Sequence, residues 1–256
     1  MELSLRQKIV EIVGEIQSEN LLDEQGCTSE VRKVVTNNGT YLMKSSFKER
    51  YRDWLKQEAN NLKVLKNKHI IPVPQYYGYI EENNSNHVIM SYENGISLTS
   101  ALKKAESLDE KLRLINSFGQ LIHQLHETKP IDELITSDNW LENQLIVAEA
   151  NLKLGGVDGT EERLNELKAT TLKPVKQTII HGDCTIDNVL VIDGVVKMFI
   201  DVAGMAVGDP RYDISLAIRK FQNNEEFIKA FYTGYTRYKV TTEEYSFFEE
   251  GLYEFF

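Results

Sequence analysis

Apolar and polar positions follow two periods along the chain, and the change from one to the other sets its organisation. Ile9, Val10, Val13 and Ile16 recur at helical spacing and predict an amphipathic helix over about 5–16. Short runs of strand type follow at 31–36 and 40–44. They flank Asn37-Asn38-Gly39, whose residue types accept positive φ and suit a hairpin turn. A helical pattern then covers about 48–65 and stops ahead of Pro72 and Pro74. Residues 75–80 and 87–92 predict two more strands. Beyond Gly95 helical periodicity takes over, from about 98 to 125, from 161 to 167, and from Asp213 through most of the C-terminal part. One short β segment, 179–201, interrupts that second half. The pattern predicts an α+β chain of two lobes, a small antiparallel-sheet lobe over 1–93 and a larger, mainly helical lobe over 94–256.

Charge narrows the partners. The chain carries 39 Asp+Glu against 29 Lys+Arg, a formal net charge of −10. Phosphate-backbone binding draws on clustered Lys and Arg, and no basic stripe runs through this sequence, so no nucleic-acid partner is expected. A cationic partner is easier to accommodate. Cys27 and Cys184 stand far apart and outside any C-x-x-C spacing. That argues against a disulfide framework or a zinc knuckle and fits a reducing cytoplasm. No apolar run approaches the roughly 20 residues of a membrane span. The first residues also lack a basic segment followed by an apolar stretch, so the expectation is a soluble, unprocessed cytoplasmic protein with no membrane partner. Nothing in the pattern sets an oligomeric state.

The interrupting β segment holds the candidate chemistry. Asp193-Gly194 is a two-residue hairpin signal between two apolar runs. Pairing Ile192 with Val195 brings Asn188 opposite Phe199, so Asn188 and Asp201 emerge at one open end, two residues or about 7 Å apart along the strand. An amide oxygen and a carboxylate there suit Mg²⁺, a hard cation that takes few protein ligands and completes its shell with water and phosphate. Asp183, five positions before Asn188, lies in the loop that enters the hairpin and is placed to reach a substrate hydroxyl. This is the spacing of a kinase catalytic loop, with Asp183 as base and Asn188 and Asp201 as metal ligands.

The long helix supplies an independent sign. Tyr51, Leu55, Leu62 and Leu65 share one face, and Glu58 sits inside that stripe. A carboxylate on a buried stripe is costly unless paired. Lys44, at the end of the preceding strand, is its natural partner, the arrangement that presents an ammonium to nucleotide phosphates. Upstream, the segment around Gly26, Thr28 and Ser29 occupies the position of a phosphate-covering loop, though an ordinary turn fits it equally. The strand ending at Tyr92 leads into the lobe linker, where backbone groups of Ser91 and Glu93 would face an adenine.

Taken in order, the Gly26 loop, Lys44, Glu58, the Met90-Ser91 linker, His181-Gly182-Asp183 to Asn188, Asp201 and Asp209-Pro210-Arg211-Tyr212-Asp213 resemble the aminoglycoside phosphotransferases. The end of the chain, Leu252-Tyr253-Glu254-Phe255-Phe256, is most similar to the 3′-phosphotransferase branch. The resemblance implies a protein-kinase-like fold with a nucleotide-binding first lobe, ATP and Mg²⁺ as cofactors, and phosphoryl transfer to a hydroxyl. It implies Asp183 as catalytic base, Lys44 on the ATP phosphates, Asp213 as a buried brace for the catalytic loop and His181 as a positioning residue. Two positions depart from that branch: Ala203-Gly204 stands where Gly-Arg is usual, and Tyr253 where the terminal motif is acidic. Both are associated with aminoglycoside binding in the family, so the resemblance carries the ATP chemistry further than the drug acceptor. The wider family also phosphorylates macrolides, choline, homoserine and sugars.

The span from Asp201 to Asp213 is too short for an activation loop and a peptide platform, and Val202-Ala203 replaces Phe-Gly, so the acceptor should be a small molecule. A non-catalytic nucleotide-binding regulator is the reading from another class. Retention of Lys44, Glu58, Asp183, Asn188 and Asp201 together argues against it. The excess acid concentrates at 132–166 and 240–256. A cationic acceptor would dock on Asp158, Glu161 and Glu162 and on a C-terminal helix with Glu250, Glu254 and the terminal carboxylate of Phe256. An acid near a helix C-terminus opposes the macrodipole, so Glu254 there asks for a cation.

Overall fold

The computed structural model describes residues 3–66, 68 and 70–256, which form two compact units. The first comprises the described residues up to Asn94 together with Ile200–Ala203, and the second Gly95–Phe199 with Gly204–Phe256.

In the first unit α1 (Leu3–Val13) ends at Gly14, which takes φ +89° and donates its N–H to the Val10 carbonyl at 2.8 Å. A Cβ at Gly14 would collide with the side chains of Asn37 and Asn38. The helix expected to run to Ile16 therefore stops early, and Ile16 instead opens β1 (Ile16–Leu21). That strand was not anticipated: only its first residue is buried, so it shows no alternation of apolar and polar positions. β2 (Glu30–Thr36), β3 (Gly39–Ser46), α2 (Glu49–Leu65), β4 (Tyr76–Glu81) and β5 (Asn86–Ser91) follow. The five strands make one antiparallel sheet in the order β1-β2-β3-β5-β4. Tyr41 and Met43 cluster with Leu5, Ile9 and Val13 of α1. Lys44, next along β3, turns to the opposite face and meets α2. α2 buries Leu55, Ala59, Leu62 and Leu65 along one stripe.

The second unit opens with β6 (Ile96–Ser97) and α3 (Leu98–Lys104), followed by α4 (Leu108–Glu127). The single helix expected over 98–125 is thus two, because Ser107 leaves helical geometry and its side chain caps α4 at the Glu110 N–H. α5 (Trp140–Leu154) was not read from the sequence. Its apolar residues are spread around the helix, with Ile146 and Leu154 exposed and only Trp140 and Ala148 buried. α6 (Glu161–Ala169) leads to β7 (Thr178–Ile180), and the hairpin β8 (Val189–Ile192) and β9 (Val195–Phe199) adds to β6 as a three-stranded sheet. β10 (Ala206–Gly208) pairs with β7. The expected C-terminal helical region divides into α7 (Pro210–Ile218), α8 (Glu225–Gly234), α9 (Thr242–Phe248) and a 3-10 turn, Leu252–Phe255. One core gathers Trp140, Leu164, Leu167, Ile180, Tyr212, Leu216, Phe247, Phe248, Leu252 and Phe255. Among the described residues no helix is long and apolar enough to cross a membrane.

α4 and α8 touch backbone to backbone. A Cβ on Gly119 would lie 2.3 Å from the Phe231 carbonyl oxygen, and one on Gly234 would lie 2.1 Å from that of Asn116. Neither obstacle is a side chain that could swing away. Gly119→Ala is therefore expected to lower stability by about 1–3 kcal/mol, the cost of overpacking a close contact, read as a drop in denaturant midpoint with an unchanged m-value.

Candidate active site

In the first unit a charged cluster forms on the α2 face of the sheet. The Lys44 ammonium donates to Glu58 Oε2 at 2.7 Å and to Asp201 Oδ1 at 2.9 Å. Glu58 is 2% exposed. Burial alone would lower the Lys44 pKa, but the charges of Asp201 and Glu58 outweigh it and hold the lysine above its ordinary value, so it remains a cation. Burial pushes the Glu58 carboxyl up against the opposing pull of Lys44. Asp201 takes left-handed geometry at φ +61° and its side chain is 41% exposed. The segment that carries it is fastened to α2 by Asn61, whose amide donates to the Val202 and Ala203 carbonyls at 2.8 and 3.2 Å. Asn61 escaped the sequence reading although it occupies the same buried stripe as Glu58, an amide where an apolar residue was due.

Ser29 lies near the end of β3, its hydroxyl 2.7 Å from that of Ser46, which in turn donates to the Thr28 carbonyl. Gln25 staples the same loop: its amide nitrogen donates to the Leu22 and Val31 carbonyls and its oxygen accepts the Val31 N–H. Cys27 is exposed on that loop, and Cys184 is buried. Of the Ser91 backbone groups, the N–H is already engaged. It is donated to the Gln75 carbonyl, just ahead of β4, at 2.9 Å, and the Ser91 hydroxyl bonds Glu93, so that N–H is not left for a base.

The second unit carries the loop from His181 to Asn188. Asp193-Gly194 turns the hairpin with φ +52° and +75°, as a two-residue hairpin of this hand requires, and Ile192 pairs with Val195 as read from the sequence. A bulge then shifts the register between Leu190 and Val191, so Phe199 lies opposite Val189 and not Asn188. Asn188 turns its amide nitrogen onto Asp183, donating to Oδ2 at 2.7 Å and to the backbone carbonyl at 2.9 Å, which leaves its carbonyl oxygen on the far side of the amide. Asp183 Oδ1 accepts from the Tyr253 hydroxyl at 3.0 Å. Tyr253 stood out in the sequence only as a departure from a motif, and its contact with Asp183 spans 70 residues of the chain.

Asp213 supports the loop from beneath. It is fully buried and accepts the His181 N–H at 2.7 Å and the Gly182 N–H at 2.9 Å, and it also faces His126 Nε2 at 3.2 Å. His181 is buried as well, its Nδ1 accepting the Asp183 N–H at 3.2 Å. Gly182 has φ +82° and no room for a Cβ, which would come within 2.2 Å of the Gly204 carbonyl oxygen. α7, which presents Asp213, is capped by Asp209, whose side chain accepts the Arg211 N–H. The Arg211 guanidinium bonds both oxygens of Asp209 and, at 2.8 Å, Glu244 of α9. Glu244 also closes a capping box with Thr241.

The two acidic segments do meet. The Asp158 and Gly159 N–H groups both donate to the Glu254 carbonyl, and the Phe255 ring fills the place of a Gly159 side chain. Asp158, Glu161, Glu162, Glu254 and Phe256 are all exposed. Glu254, however, stands in a 3-10 turn and not at the end of an α-helix, so the macrodipole argument does not apply to it. Glu161 and Glu162 occupy the first turn of α6, where acids are favoured without a ligand. Other acids of these segments are paired internally: Glu149 with Lys153 and Lys168, Glu166 with Arg163, Glu249 with Arg219.

An antiparallel sheet holding a lysine against a helix glutamate, and a helical unit holding an Asp-to-Asn loop, define the α+β protein-kinase-like fold. The chain belongs to the phosphotransferase enzyme family, whose model matches residues 22–248. Among solved structures it is similar to an aminoglycoside-3′-phosphotransferase of type VIII, at 21% identity, TM-score 0.75 and 93% coverage of both chains. It is also similar to the GDP and kanamycin complex of APH(2")-IIia (20%, TM-score 0.68, covering 96% of this chain and 88% of that one). A third is spectinomycin phosphotransferase with ADP and spectinomycin (12%, TM-score 0.63, 96% and 82%). No curated protein matches the chain.

The Arg211 cluster makes acid stability testable. Burial alone would raise the Glu244 carboxyl, but the Thr241 N–H, Arg211 and the Tyr238 hydroxyl outweigh it and hold the group below its ordinary value of 4.5. Its contribution is therefore complete above that value and is lost as pH falls through the lower folded one. Glu244→Gln is expected to lower the melting temperature at pH 7 and to flatten its decline on acidification, measured by thermal melts across a pH series.

Proposed function

We propose that the protein is a kinase that transfers the γ-phosphoryl group of ATP to a hydroxyl of a small molecule, an aminoglycoside or another cationic acceptor. The observation that carries this reading is the state of Asp183: its carboxylate is oriented by Asn188, and its loop is pinned by backbone bonds to the buried Asp213. A base held this way accepts a hydroxyl proton without needing unusual basicity, and most of the rate gain in such reactions comes from alignment and charge neutralisation. Lys44, oriented by Glu58, is assigned to the nucleotide phosphates, Ser29 to the loop over them, and the Ser91 carbonyl and Glu93 backbone to the purine. Family membership and the nucleotide-bound neighbours support a purine nucleotide as donor.

Mg²⁺ fits the residues present. The Asn188 amide oxygen and the half-exposed Asp201 carboxylate are hard oxygen donors. When bound, the ion would neutralise phosphate charge.

The acceptor is assigned to the exposed face of Asp158, Glu161, Glu254 and Phe256. A second reading, a macrolide, a choline- or homoserine-like metabolite or a sugar, gains weight from Tyr253: the group that contacts the base is a neutral phenol, and Arg219 lies over its ring. A panel of aminoglycosides, macrolides and small amino alcohols incubated with protein, Mg²⁺ and ATP decides between these by the phosphate mass shift of the product. Asp183→Ala is expected to abolish product while nucleotide binding persists. Asp183→Asn should reduce kcat by about 100-fold or more with little change in KM for ATP, the scale of a lost general base. Nucleotide binding with no product from any acceptor would instead favour a regulator.

A further inference from the structure

Asp183 receives a hydrogen bond on each carboxylate oxygen, from Asn188 at Oδ2 and from Tyr253 at Oδ1. The Tyr253 ring is fixed from several sides. It packs, partly buried, against the core formed by α5, α6, α7, α9 and the C-terminal turn, with the Tyr212 ring 6.4 Å away. The Arg219 guanidinium sits 4.9 Å over it, itself tethered to Glu249 at 3.1 Å. Leu252 and Phe255, flanking Tyr253 in the 3-10 turn, are both fully buried. Burial first, then the Asp183 charge, pushes the phenol up from its ordinary value, so it stands as a proton donor. The ring is therefore anchored, and its one functional atom is aimed at the carboxylate on which the proposed reaction turns.

A hydroxyl that attacks the γ-phosphorus must itself hydrogen-bond to Asp183. Each carboxylate oxygen can accept a second bond, and a hydroxyl that arrives at Oδ1 competes there with the Tyr253 hydroxyl. We propose that Tyr253 is a positioning residue that guards Asp183 Oδ1: its hydroxyl gives way to the acceptor hydroxyl, and otherwise denies the base to water. In productive transfer the acceptor oxygen forms the new bond to phosphorus, the bond to the β-phosphate oxygen breaks, and the hydroxyl proton passes to Asp183. In the wasteful reaction a water oxygen takes the acceptor's part, giving ADP and inorganic phosphate, with the proton going to the same carboxylate. A donor already seated on Oδ1 opposes the second reaction. A larger acceptor anchored elsewhere can displace it. The inference rests on the kinase reading and adds a residue to it.

The experiment uses the full chain with Mg²⁺ and ATP and no other acceptor, following phosphate release. Tyr253→Phe keeps the ring and removes only the hydroxyl. Its hydrolysis rate is expected to rise about 5-fold, the factor that one net hydrogen bond supplies, with KM for ATP unchanged. Adding Asp183→Ala to that variant should remove the increase. An unchanged or slower rate in Tyr253→Phe overturns the guard, and so does a rise that survives loss of Asp183. ATP binding by calorimetry, with no hydrolysis in either protein and no transfer to any acceptor of the panel, sinks the kinase reading itself. Normal transfer by the wild type alongside unchanged hydrolysis in the variant sinks the guard alone.

Discussion

The helical lobe is organised around one buried negative charge. An isolated carboxylate in a protein interior costs several kcal/mol even after relaxation, and Asp213 is fully buried. It is tolerated because two consecutive backbone N–H groups, those of His181 and Gly182, donate to it and His126 faces it from α4. Each bond to a charged acceptor is worth about 1.5–3 kcal/mol. The same bonds fix the backbone from which Asp183 projects. Stability and the geometry of the candidate base thus depend on one residue. The elements that hold Asp213 in place inherit the constraint: α7 begins at a buried Asp209–Arg211 pair, and α9 supplies the second carboxylate to that arginine.

The sheet lobe solves a related problem with side chains alone. Lys44 lies between two acids, one buried and one half-exposed. The buried partner orients the ammonium. The other sits on a segment that Asn61 fastens to α2. An ammonium has three donors, so a lysine held by two carboxylates is oriented and keeps one N–H for a further acceptor.

What could be read from the sequence was what is local. The Asp193-Gly194 turn, the five-residue step from Asp183 to Asn188 and the stripe containing Glu58 are each set within one element or one hairpin, and the structure places them as read. β1 was missed because only Ile16 of its six residues is buried, and α5 because its apolar residues form no stripe. The bulge between Leu190 and Val191 leaves no mark in composition. At the site, Asn61 and Tyr253 act through contacts distant in sequence, which spacing cannot reveal. The acidic runs were legible as charge but only partly as pairing: Glu149–Lys153 and Glu166–Arg163 are steps within one helix, whereas Glu149–Lys168 and Glu249–Arg219 form only once the helices pack.

The two cysteines have opposite fates. Cys184 is sealed beside Asp183, and burial first, then the charges of Asp213 and Asp183, pushes its thiol far up, away from the reactive thiolate. Cys27 stands exposed on the loop that Gln25 staples. The native chain therefore offers a single accessible attachment point, already located on the segment assigned to cover phosphates. A fluorophore or spin label placed there needs no engineered cysteine and would report the ordering of that loop directly, while the neighbour of the candidate base stays unmodified.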